Sequence, residues 1–105
     1  MRVLDHEPQV WFLLEEDKTL YLDANCEHSG VGYSVLIALD DAERAAYAAG
    51  GRAYLDQLAY NIHYSAPGAI GSSSPFKARN LTIGPSDEAK RAGAAITAWQ
   101  VTRTG

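Results

Sequence analysis

Val10-Trp11-Phe12-Leu13-Leu14-Glu15-Glu16-Asp17-Lys18-Thr19-Leu20-Tyr21-Leu22-Asp23-Ala24 sets two runs of aromatic and aliphatic side chains on either side of a short charged break. Short runs of this composition are strand formers, and Glu16-Asp17-Lys18 has the composition of a hairpin turn. The stretch predicts two antiparallel strands over residues 9–15 and 19–24, begun at the edge that Pro8 marks by lacking a backbone donor. Leu20 and Leu22 should face one side, Tyr21 and Asp23 the other, because side chains alternate along a strand.

Residues 32–39 predict a third strand, reached through the polar, turn-forming segment Asn25-Cys26-Glu27-His28-Ser29-Gly30, so the economical topology is a three-stranded meander. The strand signal stops at Asp40. Asp40 followed by Glu43 is the acidic form of a capping box, and alanines at 42, 45, 46, 48 and 49 favour the helix it opens. Gly50-Gly51 reads as a stop or bend. Beyond it Tyr54, Leu55, Leu58, Ala59 and Ile62 recur at helical spacing and should pack on the sheet, leaving Arg52, Asp56, Gln57, Tyr60 and Asn61 outward.

The next stretch, Ser65-Ala66-Pro67-Gly68-Ala69-Ile70-Gly71-Ser72-Ser73-Ser74-Pro75, is too rich in proline, glycine and serine for a regular element; long loops inside a compact domain are often functional. Leu81-Thr82-Ile83 suits a short fourth strand closed by Gly84-Pro85. Ser86, Asp87 and Glu88 then open a helix with a thin stripe of Ala89, Ala92, Ala95, Ile96 and Trp99, although the alternation from Ile96 to Thr102 also suits a strand. The expected fold is a single α+β domain over residues 1–105. It consists of an antiparallel meander with one face covered by two or three helices and the other left to water or a partner, where exposure of Trp11, Leu13 or Tyr33 would favour a dimer.

Charge narrows the function classes. The net charge of −4 argues against nucleic-acid binding, which needs a basic surface. Residues 1–75 carry four Lys and Arg against eleven Asp and Glu, and residues 76–105 carry five against two, an asymmetry that can hold the last segment onto the rest or mark self-association or an anion site. The longest apolar runs, 10–14 and 35–39, fall far short of the ~20 residues of a membrane span. Met1-Arg2-Val3-Leu4-Asp5-His6-Glu7 turns acidic before a signal-peptide core can develop, and with the single Cys26 it predicts a cytoplasmic protein whose first residues are solvated.

No nucleophile elbow, Walker loop or dinucleotide fingerprint is present, and Cys26-Glu27-His28 lacks the paired ligand spacings of a zinc site, so neither cofactor nor metal is expected. The candidate ligand site is the 65–80 loop. There Ser72, Ser73, Ser74, Lys77, Arg79 and Asn80 offer donors for a phosphate or carboxylate, with His63 and Tyr64 beside them. The competing and favoured role for the same loop is an apolar clasp or dimer contact made by Tyr64, Pro67, Ile70, Pro75 and Phe76. Composition therefore favours a non-enzymatic module that binds another protein, a second copy of itself or a target as immunity proteins bind toxins. An anion-binding regulatory domain comes next, and an enzyme built on His63, Tyr64 and Arg79 last.

Overall fold

A computed structural model describes residues 1–28, 30–65, 73–82 and 86–104. Four antiparallel strands, β1 (Arg2–Glu7), β2 (Trp11–Glu16), β3 (Thr19–His28) and β4 (Val31–Ala38), form one sheet in sequence order. Helices α1 (Asp41–Gly50), α2 (Arg52–Tyr64) and α3 (Asp87–Thr104) pack on it. The α+β class and the antiparallel meander are those the sequence predicts.

The β2–β3 hairpin turns on Asp17 and Lys18, with φ of 50° and 67°, the left-handed pair that matches the twist of the flanking strands. Register places Leu13 opposite Leu22 and Leu14 opposite Tyr21, so Trp11, Leu13, Leu22, Ala24, Cys26, Val35 and Ile37 share one face. Leu55, Leu58, Ala59 and Ile62 of α2 close that face into one core. α1 buries no residue of its own and leans on this core through Tyr47. Its capping box is complete, since the Glu43 N–H donates to Asp40 at 2.8 Å and the Asp40 N–H donates to the Glu43 carboxylate at 2.9 Å. Gly51, at φ 61°, provides the corner between the two helices.

Three expectations are corrected. Residues 25–28 extend β3 rather than forming a connection, because Asn25, Cys26 and Glu27 pair with Ser34, Tyr33 and Gly32, and backbone ladders do not depend on side-chain polarity. The fourth strand is β1 rather than residues 81–83: Leu81 and Thr82 form a turn, and Ile83 lies outside the described residues. The supposedly solvated Asp5-His6-Glu7 is therefore sheet, held by Arg52, whose guanidinium reaches Asp5 at 3.0 Å and Glu7 at 2.6 Å.

The second face of the sheet is not bare. Leu14, Tyr21 and Leu36 alternate with the α2-facing residues, and Ala89, Ala92, Ala95 and Ile96 of α3 cover them, small side chains allowing close approach. Residues 96–102 are thus helix. Trp11 and Leu13, expected to be exposed if a dimer formed there, are buried at 1% and 0% exposure beneath α2. Charge asymmetry serves the attachment of α3, since the Arg91 Nε donates to both Glu16 carboxylate oxygens at 2.9 and 2.8 Å.

Replacing Leu55 by Ala should cost about 2–5 kcal/mol in urea unfolding, the usual range for emptying a packed aliphatic site. Replacing outward-facing Tyr60 by Ala should cost under about 0.5 kcal/mol. Equal losses would contradict the assignment of α2's faces.

Candidate functional site

The contacts divide the predicted site residues among separate places. Arg79 is spent on the fold: its guanidinium donates to the two Glu43 carboxylate oxygens at 2.9 and 2.5 Å and to the Ala38 carbonyl at 2.8 Å, and it lies over the Phe76 ring. The hydrogen bonds to Glu43 raise its pKa further. Asn80 serves β4, its Oδ1 accepting from the Leu36 N–H at 3.3 Å, the Thr82 N–H at 3.0 Å and the Thr82 hydroxyl at 2.8 Å. The Ser74 hydroxyl meets that of Ser65 at 2.5 Å and accepts from the Phe76 N–H. Ser73 and Lys77 are exposed, and Ser72 lies outside the described residues.

This segment therefore has the clasp's anchorage through Phe76, which packs against the α2-side core. Tyr64 is 79% exposed, and Pro67 and Ile70 lie outside the described residues. Among the described residues, no hydrogen bond or ion pair joins His63, Tyr64 and Arg79.

His63 instead belongs to the end of the sheet where β3 and β4 outrun the shorter strands. Its Nε2 N–H donates to the Glu27 carbonyl at 3.2 Å. Two adjoining hollows of ≈ 690 and ≈ 400 Å³ meet there, sharing Val10, Asn25 and His63. Asn25 shapes their rim: its backbone N–H donates to the Val10 carbonyl at 2.9 Å and its side-chain amide to the Gln9 carbonyl at 3.1 Å, fixing the β1–β2 turn to β3. The Cys26 thiol lines the larger hollow but is pushed up to about 11, by burial first and by the Asp23 charge second, and so stays a protonated, weakly nucleophilic thiol at neutral pH.

Tyr60, which lines the smaller hollow, stacks on Tyr64 with ring centroids 5.9 Å apart and planes at 20°. They are 60% and 79% exposed, one turn apart on the face of α2 turned from the core. Acidic groups flank them. Asp56, which accepts the Trp11 indole N–H at 2.8 Å, lines the same hollow with Glu7, and Glu27 lies beyond His63.

A third recess, of ≈ 260 Å³, opens on the α3 side and shares only the Val10, Asn25 and Ser34 end of the sheet with the larger hollow. Asp23 lies in it, and no hydrogen bond or ion pair to another described residue engages its carboxylate. Burial pushes Asp23 up to about 6. The sequence carries a signal for this group, namely a carboxylate on the same side of a strand as Tyr21. No comparable signal marked Asn25 or Val10, which the register alone brings together.

Arg79→Ala should lower stability by about 1–3 kcal/mol by stranding the half-buried Glu43, read from thermal unfolding. For Asp23, the folded pKa lies above that of an ordinary carboxyl, so the folded chain holds the proton longer. Its contribution to stability then falls as pH rises from about 4 to 6. Asp23→Asn should accordingly be near neutral at pH 4 and stabilising by about 1–3 kcal/mol at pH 7.5, whereas a uniform effect at both pH values would show that Asp23 is not desolvated. Comparison with protein-family models, with curated protein sequences and with solved structures finds no match for this chain, so the site stands on its own geometry.

Proposed function

We propose that the protein is a non-enzymatic interaction module that binds a basic segment of another protein against the Tyr60–Tyr64 face of α2 and the acidic hollow beside it. The stacked, exposed tyrosine pair carries this reading. Tyrosine contributes a large amphipathic contact area at low entropic cost and is enriched in binding surfaces. Among the described residues, the core takes neither ring: the opposite face of the same helix supplies Leu55, Leu58, Ala59 and Ile62 to it.

Charge selects the partner's chemistry. Asp56 lines the smaller hollow with Glu7, which Arg52 already pairs, and Glu27 lines the larger hollow adjoining it; aromatic faces attract guanidinium and ammonium groups by cation–π contact worth about 0.5–2 kcal/mol each. A partner segment presenting Arg or Lys beside an apolar residue would place its cation over the rings and its apolar group against Val10, which is 40% exposed. The net charge of −4 would also speed encounter with a basic target.

A random peptide library displayed against the immobilised protein should yield binders enriched in Arg and Lys. Tyr60→Ala combined with Tyr64→Ala should weaken them at least about tenfold while leaving the melting temperature nearly unchanged. Peptides without basic enrichment, or peptides indifferent to the double substitution, would remove the proposal. Light scattering on the free protein reads the other occupant: a dimer lost on the double substitution would assign this face to a second copy.

A further inference from the structure

We infer that the recess between α3 and the sheet is a binding site for a small organic cation, a primary ammonium on a short apolar body, held by the Asp23 carboxylate. The proposal is independent of the α2 surface, because strand alternation sends Asp23 to the opposite face of the sheet from Leu22 and Ala24. Four polar side chains converge there, Asp23 and Asn25 from β3, Ser34 from β4 and Gln100 from α3, against the apolar walls of Phe12 and Ile96.

The chemistry follows from what each group has left to offer. Asp23 is accept-only when ionised and engages no other described residue. Asn25 gives its amide N–H to Gln9, which leaves its Oδ1 as an acceptor, and the Ser34 hydroxyl adds another. An ammonium carries three donors and no acceptor, so it matches a carboxylate backed by two neutral oxygens. A hard metal ion would need about six or more oxygen ligands, which walls built from Phe12, Ile96 and Val10 do not provide. A recess of ≈ 260 Å³ sits just below the usual size of drug-like pockets and suits an alkylamine rather than a nucleotide.

Desolvation gives the site its energy. The carboxylate is drawn out of water without a counter-charge, so an entering cation relieves a cost that the folded chain already bears. Among the described residues, the neighbours lining the recess from the β1–β2 turn, β2, β3, β4 and α3 are Val10, Trp11, Phe12, Asn25, Ser34, Ile96 and Gln100, none of which titrates; the titratable groups nearby are the His6 imidazole of β1, stacked on Phe12 with ring centroids 5.5 Å apart and edge-on to Trp99 at 4.3 Å, and the protonated Cys26 thiol on the other face of the sheet. Binding should therefore follow the ionisation of Asp23, and Asp23→Asn separates that dependence from any effect of the His6 imidazole over the same pH range.

Titration of the ¹⁵N-labelled protein with n-butylammonium chloride at pH 7.5, followed by amide chemical shifts, tests this. Saturable shifts in the millimolar range are expected at Asp23, Ser34, Ile96 and Gln100. Asp23→Asn, which folds at least as well by the stability argument, should weaken binding at least about tenfold, and so should lowering the pH from 7.5 to 5 in the natural chain, where about a tenth of Asp23 remains ionised. 1-Butanol, sodium butyrate and sodium chloride should shift none of these amides. The inference is overturned if the shifts are absent, if they persist in Asp23→Asn, if butanol or sodium reproduces them, or if they collect at Tyr60 and Tyr64 instead.

Discussion

β2 is apolar on both sides. Trp11 and Leu13 point one way and Phe12 and Leu14 the other, so a strand in the middle of the ribbon exposes a large hydrophobic surface unless both faces of the sheet are covered. That requirement dictates the layering. α2 answers the first side with Leu55, Leu58 and Ile62, and α3 answers the second with Ala92, Ala95 and Ile96. Trp11 then orients the first layer, since its buried indole gives its N–H to Asp56 and lies beneath the Arg52 guanidinium, 5.3 Å from the ring centroid. Arg52 in turn grips Asp5 and Glu7, and one side chain of β2 thereby sets the positions of both a helix and an outer strand.

Much of this is legible in the chain because local and global signals agree. The Asp40–Glu43 box, the Gly50-Gly51 corner, the faces of α2 and the turn at Asp17-Lys18 all rest on short-range chemistry. The failures share a cause. A polar strand end such as Asn25-Cys26-Glu27-His28 and a charged start such as Asp5-His6-Glu7 become sheet only because a neighbouring strand supplies a ladder, and partnership across the chain leaves no mark in a window of ten residues. The covering of the second face was, by contrast, written in the unbroken run 10–14, where a half-solvated strand would alternate with polar residues.

The loop basics illustrate how a reactive side chain can be fully occupied by architecture. Arg79 ties the 73–82 segment to Glu43 at the start of α1 and to the Ala38 carbonyl at the end of β4, so a group that composition alone suggests for a ligand acts as a tether. The features that remain unspent are of another kind. Among the described residues, Tyr60 and Tyr64 are large side chains outside the core, and Asp23 is a carboxylate held in a desolvated place with no hydrogen-bond or ion-pair partner. Unspent surface and an unrelieved charge are more informative than a count of donors, because folding alone gives no reason to maintain either.

Asn80, Leu81 and Thr82 meet β4 along its outer side: the Leu36 N–H goes to Asn80, the Leu36 carbonyl accepts from the Leu81 N–H at 2.8 Å, and the Ser34 carbonyl receives the Thr82 hydroxyl at 3.5 Å. At the opposite margin the register of β1 slips between Val3 and Asp5, and Arg52 takes the His6 carbonyl. Both rims of the ribbon are blunted against recruiting a further strand, which disfavours sheet-to-sheet growth of the kind that seeds fibrils. Where these contacts occupy the edges, the main chain offers no free ladder, and what the two rims present there is side chains.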